Sequence, residues 1–157
     1  MASLLLRNLV FTILQPGIVA GLIPFLIVRD DLQKISVSLF VFHHYLGFII
    51  IIIGLLITLH CILQFVIHGR GTLSPADPTK QLVGVGLYRF SRNPMYVGVI
   101  LILVGEVVSM QSIHLLLYTI VVFFGFHAFI VFIEEPRLKR DFGKEYTAYR
   151  HQVRRWI

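Results

Sequence analysis

One apolar run, about residues 39–67, limits what this chain can fold into more than any other feature. It contains Phe48-Ile49-Ile50-Ile51-Ile52-Ile53. Crossing bilayer hydrocarbon about 30 Å thick takes a helix of about 20 apolar residues. Ile and Val favour strands in water. In hydrocarbon, however, each backbone N–H must find its partner within its own segment, so a helix is expected. Stretches of the same kind lie at about 8–28, 95–110 and 113–133. The third is short and is joined to the fourth by Gln111-Ser112, as in a helical hairpin. The expected fold is therefore all-α and integral to a membrane: four transmembrane helices, a polar loop at 68–94, and a tail at 134–157, in a single domain over residues 1–157.

Composition supports this. Of 157 residues, 57% are hydrophobic and only 14% charged, and mean hydropathy is +0.83. Soluble domains carry about 45–50% apolar and about 25% charged residues, so a water-soluble enzyme and a disordered chain are both excluded. Cys61 stands alone, which excludes a disulfide scaffold. A cleaved leader fits the first run poorly. Pro16, Gly17, Gly21 and Pro24 interrupt it, and no small-residue cleavage site precedes Arg29. A retained, kinked span is expected instead.

The basic residues set the orientation. Arg29 and Lys34 lie between the first two spans, offset by Asp30 and Asp31. The other twelve of fourteen Lys and Arg residues fall on the opposite side: Arg7, the second loop and the tail. Positive charge stays inside, so both termini and the second loop should be cytoplasmic. The net charge of +6 suits anionic headgroups, and no nucleic-acid partner is expected. The small size suits a bacterial inner membrane.

The polar residues gather in two blocks. The first, Gly86-Leu87-Tyr88-Arg89-Phe90-Ser91-Arg92-Asn93-Pro94-Met95-Tyr96, closes a long loop rich in Gly, Pro, Ser and Asp. Pro94 suits a first helical turn, and Asn93 an N-cap. The plainer reading is a basic stop before a membrane helix, with the tyrosines in the interfacial belt. The second block opens Glu134-Glu135-Pro136 directly after an apolar span, where carboxylates are costly unless solvated or paired. Beyond it, Leu138, Phe142, Tyr146, Tyr149, Val153 and Trp156 recur every three or four residues, the apolar face of an amphipathic interfacial helix. A tail that only anchors the domain would look much the same, but it would not account for the glutamate pair. His60, Glu106 and His127 lie within apolar spans and are functional candidates by position. Gly84-Val85-Gly86 lacks the strand and third glycine of a dinucleotide site. Without an HxxxH or CxxC arrangement, no metal site is expected.

Together, Gly86-Leu87-Tyr88-Arg89, Arg92-Asn93-Pro94-Met95-Tyr96 and Glu134-Glu135-Pro136 followed by Phe142-Gly143-Lys144-Glu145-Tyr146 resemble the isoprenylcysteine carboxyl methyltransferase family, which is related to the membrane phospholipid N-methyltransferases. The resemblance covers roughly residues 69–156. It implies an enzyme that binds S-adenosylmethionine at the cytosolic face. Cofactor contacts implied by the match are Lys80, Gln81, Leu82, Val83, Tyr88, Asn93, Pro94, Met95, Tyr96 and Glu135. The family's usual His-Pro-x-Tyr is here Asn93-Pro94-Met95-Tyr96, so this position cannot carry charge. Val131 stands where the eukaryotic enzymes have an arginine for the prenylcysteine carboxylate, a role open to Arg89 or Arg92.

The chemistry of these residues agrees. A carboxylate such as Glu135 can pair with the cofactor's ammonium. Tyr88 and Tyr96 offer aromatic faces to adenine or to a sulfonium. In-line methyl transfer needs mainly positioning and desolvation. A carboxylate acceptor is already ionised at neutral pH. An amine acceptor needs a base, for which His127 and Glu134 are candidates. The acceptor is expected to be hydrophobic or lipid-like and to enter sideways from the bilayer. Methyl transfer to a lipid-like or prenylcysteine carboxylate is the reading expected first, and three alternatives stand beside it: a phospholipid or amine N-methyltransferase, a sterol-reductase-like enzyme using NADPH, and a non-enzymatic membrane subunit.

Overall fold

The structure, a computed structural model, describes residues 16–32, 42–64, 67 and 82–157. The described part is helical, with no strand beyond one isolated bridge. A π-turn over Ile18–Leu22 leads into α1 (Ile23–Leu32). Next come α2 (Phe42–Gln64), a 3-10 turn at Gly86–Arg89, α3 (Pro94–Met110) and α4 (Ile113–Phe129). A second π-turn over Ile130–Glu134 leads into α5 (Glu135–Gln152). Among the described residues, two helical stretches, α2 and the continuous rod Ile113–Gln152, are long and apolar enough to cross a membrane; Ile18–Arg29 and Pro94–Met110 are shorter apolar helices. On α2, Phe42, Phe48, Ile49, Leu56 and Leu63 are exposed, as expected of side chains that meet lipid rather than a protein core.

Several boundaries differ from expectation. The first helix runs on to Leu32, past the expected end at residue 28 and through Asp30 and Asp31. The helix expected as a fourth span over 113–133 does not stop at 133. Its backbone hydrogen bonding passes through the second π-turn into α5, so span and tail form one rod. The rod bends at Gly143, whose φ of 51° and ψ of −114° suit only glycine. The helix then ends at Gln152, and Val153 is extended. The helical face expected to reach Trp156 therefore stops short of it. The hairpin at Gln111-Ser112 is as tight as expected. Gln111 takes a left-handed conformation (φ 50°), and its N–H donates to the Val107 carbonyl at 2.8 Å.

The two π-turns share one cause. In the first, the Ile23 N–H donates to the Ile18 carbonyl, five residues back. The next such bond would come from residue 24 to the Val19 carbonyl. Pro24 has no N–H to give, so the Tyr118 hydroxyl on α4 donates to Val19 instead, at 2.8 Å. In the second, the Glu135 N–H donates to the Ile130 carbonyl, and Pro136 follows in the same way.

Glycines lock α2 against α3. An added Cβ on Gly54 would lie 2.7 Å from the Gly98 carbonyl oxygen, and one on Gly105 would lie 2.7 Å from that of Gly47. The two helices run antiparallel with backbones in contact, the close approach that small residues permit in membranes. This pair carries the first polar block: the start of α3 is held where Cys61 of α2 packs with Val83 and Tyr88.

Candidate active site

The two blocks, about forty residues apart in sequence, meet at the start of α3. Pro94 is the first residue of the helix, as expected, but Asn93 makes no side-chain cap. Its Nδ2 donates instead to the Arg155 carbonyl at 2.9 Å. Its own N–H donates to Ser91 Oγ at 3.1 Å. The N-cap expectation is corrected here: a better use for the amide lies within reach, because residues 153–157 run back alongside Ser91–Asn93. The Arg92 N–H donates to the Arg154 carbonyl at 2.9 Å, and Ser91 and Arg154 form a parallel bridge.

At the centre lies Glu135, 8% exposed. Arg92 Nη1 is 3.0 Å from its Oε1. Arg155 approaches in bidentate fashion, with Nε 2.8 Å from Oε1 and Nη2 3.1 Å from Oε2. Burial alone would raise the Glu135 carboxyl. The hydrogen bond from Arg155 and the charges of Arg92, Arg155 and Arg150 outweigh burial and hold the carboxyl below the usual range. Arg92 also donates to the Tyr146 hydroxyl at 3.2 Å, while its Nε is buried with no partner among the described residues. The cluster thus pairs one carboxylate with two guanidiniums.

Glu134, the other carboxylate, turns elsewhere. It accepts from the Tyr96 hydroxyl at 3.0 Å. The Tyr96 ring lies against Phe126 of α4, with centroids 4.8 Å apart. The π-turn, which ends at Glu134, sets how the two carboxylates are aimed: Glu134 to Tyr96 on α3, and Glu135 to Arg92 and Arg155.

Tyr88 differs from expectation. Its ring is buried among Ile57, Cys61, Val83 and Leu87 instead of presenting an open face. Its phenol is held well above the usual range, first by burial and then by Cys61. The Tyr149 hydroxyl donates to the Tyr88 carbonyl at 2.6 Å, and burial pushes that phenol up to about 12. Gly86 is left-handed (φ 61°) and sits against His60 and Gln64. Leu82 and Met95 are half-buried near this corner. Lys80 and Gln81 lie outside the described residues.

The remaining candidates scatter. Arg89 is exposed. His127 lies beneath Trp156, whose Nε1 donates to its Nδ1 at 3.3 Å. Glu106 lies three turns up α3 from Pro94, with Oε2 buried and without a partner among the described residues. Arg155 was missing from the expectations altogether. It is one arginine of a basic tail and lies past the helix end, where periodicity gives no guide.

Comparison with known proteins completes the picture. The phospholipid methyltransferase family matches residues 42–145. No curated protein matches the chain, and no solved structure does. The matched stretch begins with α2, contains both polar blocks, and ends just before Tyr146. Covering well over half of the sequence, with Arg92, Asn93, Tyr96, Glu134 and Glu135 inside it, it shows that the chain belongs to the phospholipid methyltransferase family.

Proposed function

We propose that this chain is an S-adenosylmethionine-dependent methyltransferase with four membrane spans and a site at the cytoplasmic face, and that it methylates a hydrophobic or lipid-like acceptor. One observation carries the reading: the buried ion pair between Arg92 and Glu135, with side chains 9% and 10% exposed. The amino-acid end of the cofactor bears one ammonium and one carboxylate. A fixed guanidinium beside a fixed carboxylate complements it charge for charge. The Arg92 Nε, without a partner among the described residues, adds a donor for an anionic oxygen. When bound, the cofactor supplies an electrophilic methyl on a sulfonium. The protein's part is to hold the acceptor in line and exclude water.

Glu134 bears on the acceptor. Its carboxylate is held by Tyr96 at the mouth of α3, where it can take a proton from an amine during transfer. A carboxylate acceptor would have no use for it. Val131, in place of an acid-binding arginine, points the same way. A lipid amine is the reading these two residues favour, with a prenylcysteine-type carboxylate as the second.

Calorimetry on the detergent-purified chain tests the cofactor. Heat with S-adenosylmethionine and none with NADPH is expected; no heat with the former rejects the proposal. Labelled cofactor supplied with a lipid primary amine and, separately, with a prenylated cysteine then distinguishes the two acceptor readings.

A further inference from the structure

We propose that residues 153–157 form a displaceable strap over this site, and that Arg155 holds Glu135 in the place of an incoming ligand's cation until that ligand enters. This rests on the cofactor reading above.

The first ground is occupancy. Glu135 accepts two hydrogen bonds, both from Arg155, pairs with Arg92 at 3.0 Å, and is almost fully buried. A ligand ammonium can take the bidentate position only if Arg155 leaves it. The exchange balances in charge: one cation departs, one arrives, and Arg92 stays on Oε1. With Arg155 in place the cluster carries a surplus cation. With the ligand in place, Arg92 can serve the ligand's carboxylate.

The second ground is how lightly the segment is held. Helix α5 ends at Gln152, and Val153 is extended (φ −120°, ψ 133°). Beyond it, the described attachments are the Arg92 N–H to the Arg154 carbonyl, the Asn93 amide and a longer Ser91 contact to the Arg155 carbonyl, the Arg155 ion pair, and the Trp156 indole on His127 and Phe123. The segment has no helical ladder of its own. Arg155 is 28% exposed in its side chain, against 9% for Arg92. Segments with few buried contacts open at the least cost. The same movement uncovers His127.

Trp156 makes the idea testable, because it is the only tryptophan in the sequence. Its ring lies 5.2 Å from Phe123 and 6.2 Å from His127, centroid to centroid. Its emission therefore reports where the strap is. The full chain in detergent is titrated with S-adenosylmethionine, following heat and tryptophan emission in parallel. A saturable emission change with the calorimetric midpoint supports the strap. R155Q, freed of the competing cation, should then bind the cofactor roughly tenfold more tightly, since a closed state reduces apparent affinity by the open fraction. Heat from the wild type with flat emission overturns the strap while leaving the cofactor reading intact, and so does weaker binding by R155Q that still folds. Absence of heat from both proteins rejects the cofactor reading, and the strap with it. Should R155Q not fold, R155K and the wild-type emission titration still decide.

Discussion

The π-turns over Ile18–Leu22 and Ile130–Glu134 are built alike. In each, a backbone N–H reaches five residues back, and a proline at the next position withholds the bond that would follow. They differ in what surrounds them. At the first, the orphaned Val19 carbonyl meets Tyr118, and its neighbours are Ala20, Val99 and Leu103. There the irregularity ties one helix to another and does nothing more. At the second, two consecutive carboxylates leave the turn toward different partners: Glu134 to Tyr96, and Glu135 to Arg92 and Arg155. π-Turns are frequent at functional sites. This pair shows that the turn supplies only a change of aim, and that the side chains it aims decide whether chemistry follows.

The sharpest way to break this comparison is to remove the aimed group. Glu135→Ala leaves the buried Arg92 without its counter-ion, and breaking a buried pair costs about 3–5 kcal/mol. With Arg155 partly exposed, a loss near about 3 kcal/mol is expected in denaturant unfolding in detergent, together with loss of measurable cofactor heat. A cost below about 1 kcal/mol would make the second turn as purely architectural as the first.

Acid probes the same carboxylate more gently. Its folded pKa lies below the usual glutamate value of about 4.3. Above that value the unfolded chain, like the folded one, is ionised, and the full stabilisation is present. As pH falls through the usual value the unfolded state takes up the proton first, and stability declines until the folded carboxyl also titrates. Thermal unfolding of the wild type should therefore weaken from just below the usual value downward. Glu135→Gln should flatten that limb, and parallel curves would deny Glu135 its part in it.

Much of this was legible in the sequence, and the illegible part has physical causes. Helix α3 spans Pro94–Met110 against an expected 95–110, because hydropathy and a leading proline mark such a boundary well. The two polar blocks stand out because charge is scarce in this chain. The seven-residue spacing of Gly47 and Gly54, and of Gly98 and Gly105, is visible too, but not which glycine faces which. Arg155 is hidden among the tail arginines, and Asn93 reads as a cap because sequence cannot show a distant segment competing for its amide. The aim of Glu134 and Glu135 is invisible to any argument that assumes 3.6 residues per turn.

That last point can be tested by restoring the missing N–H groups one at a time. Pro136→Ala restores the donor that an ordinary four-residue bond needs at this position and lets the second π-turn relax to α-helix, a one-residue change of register that rotates α5 relative to α4 by about 100°. The expected result is a cofactor affinity roughly tenfold weaker by calorimetry, about 1.4 kcal/mol. Pro24→Ala makes the same repair at the first turn and should leave cofactor affinity unchanged. Equal losses from both would mean that the two turns act through overall stability alone.

The smallest effect belongs to the first turn itself. Tyr118→Phe keeps the ring and removes only the hydroxyl that answers the Val19 carbonyl. Hydrogen bonds between membrane helices contribute modestly, because the unfolded chain in detergent or lipid also finds partners. A loss of about 1 kcal/mol in unfolding is expected, with cofactor binding intact. The variant should also behave additively with Glu135→Ala, since the two sites share no described partner and distant sites add within about 0.5 kcal/mol. Strong non-additivity would show that strain passes along the α4–α5 rod from one proline turn to the other. The first turn would then be part of the site's machinery, not only of its frame.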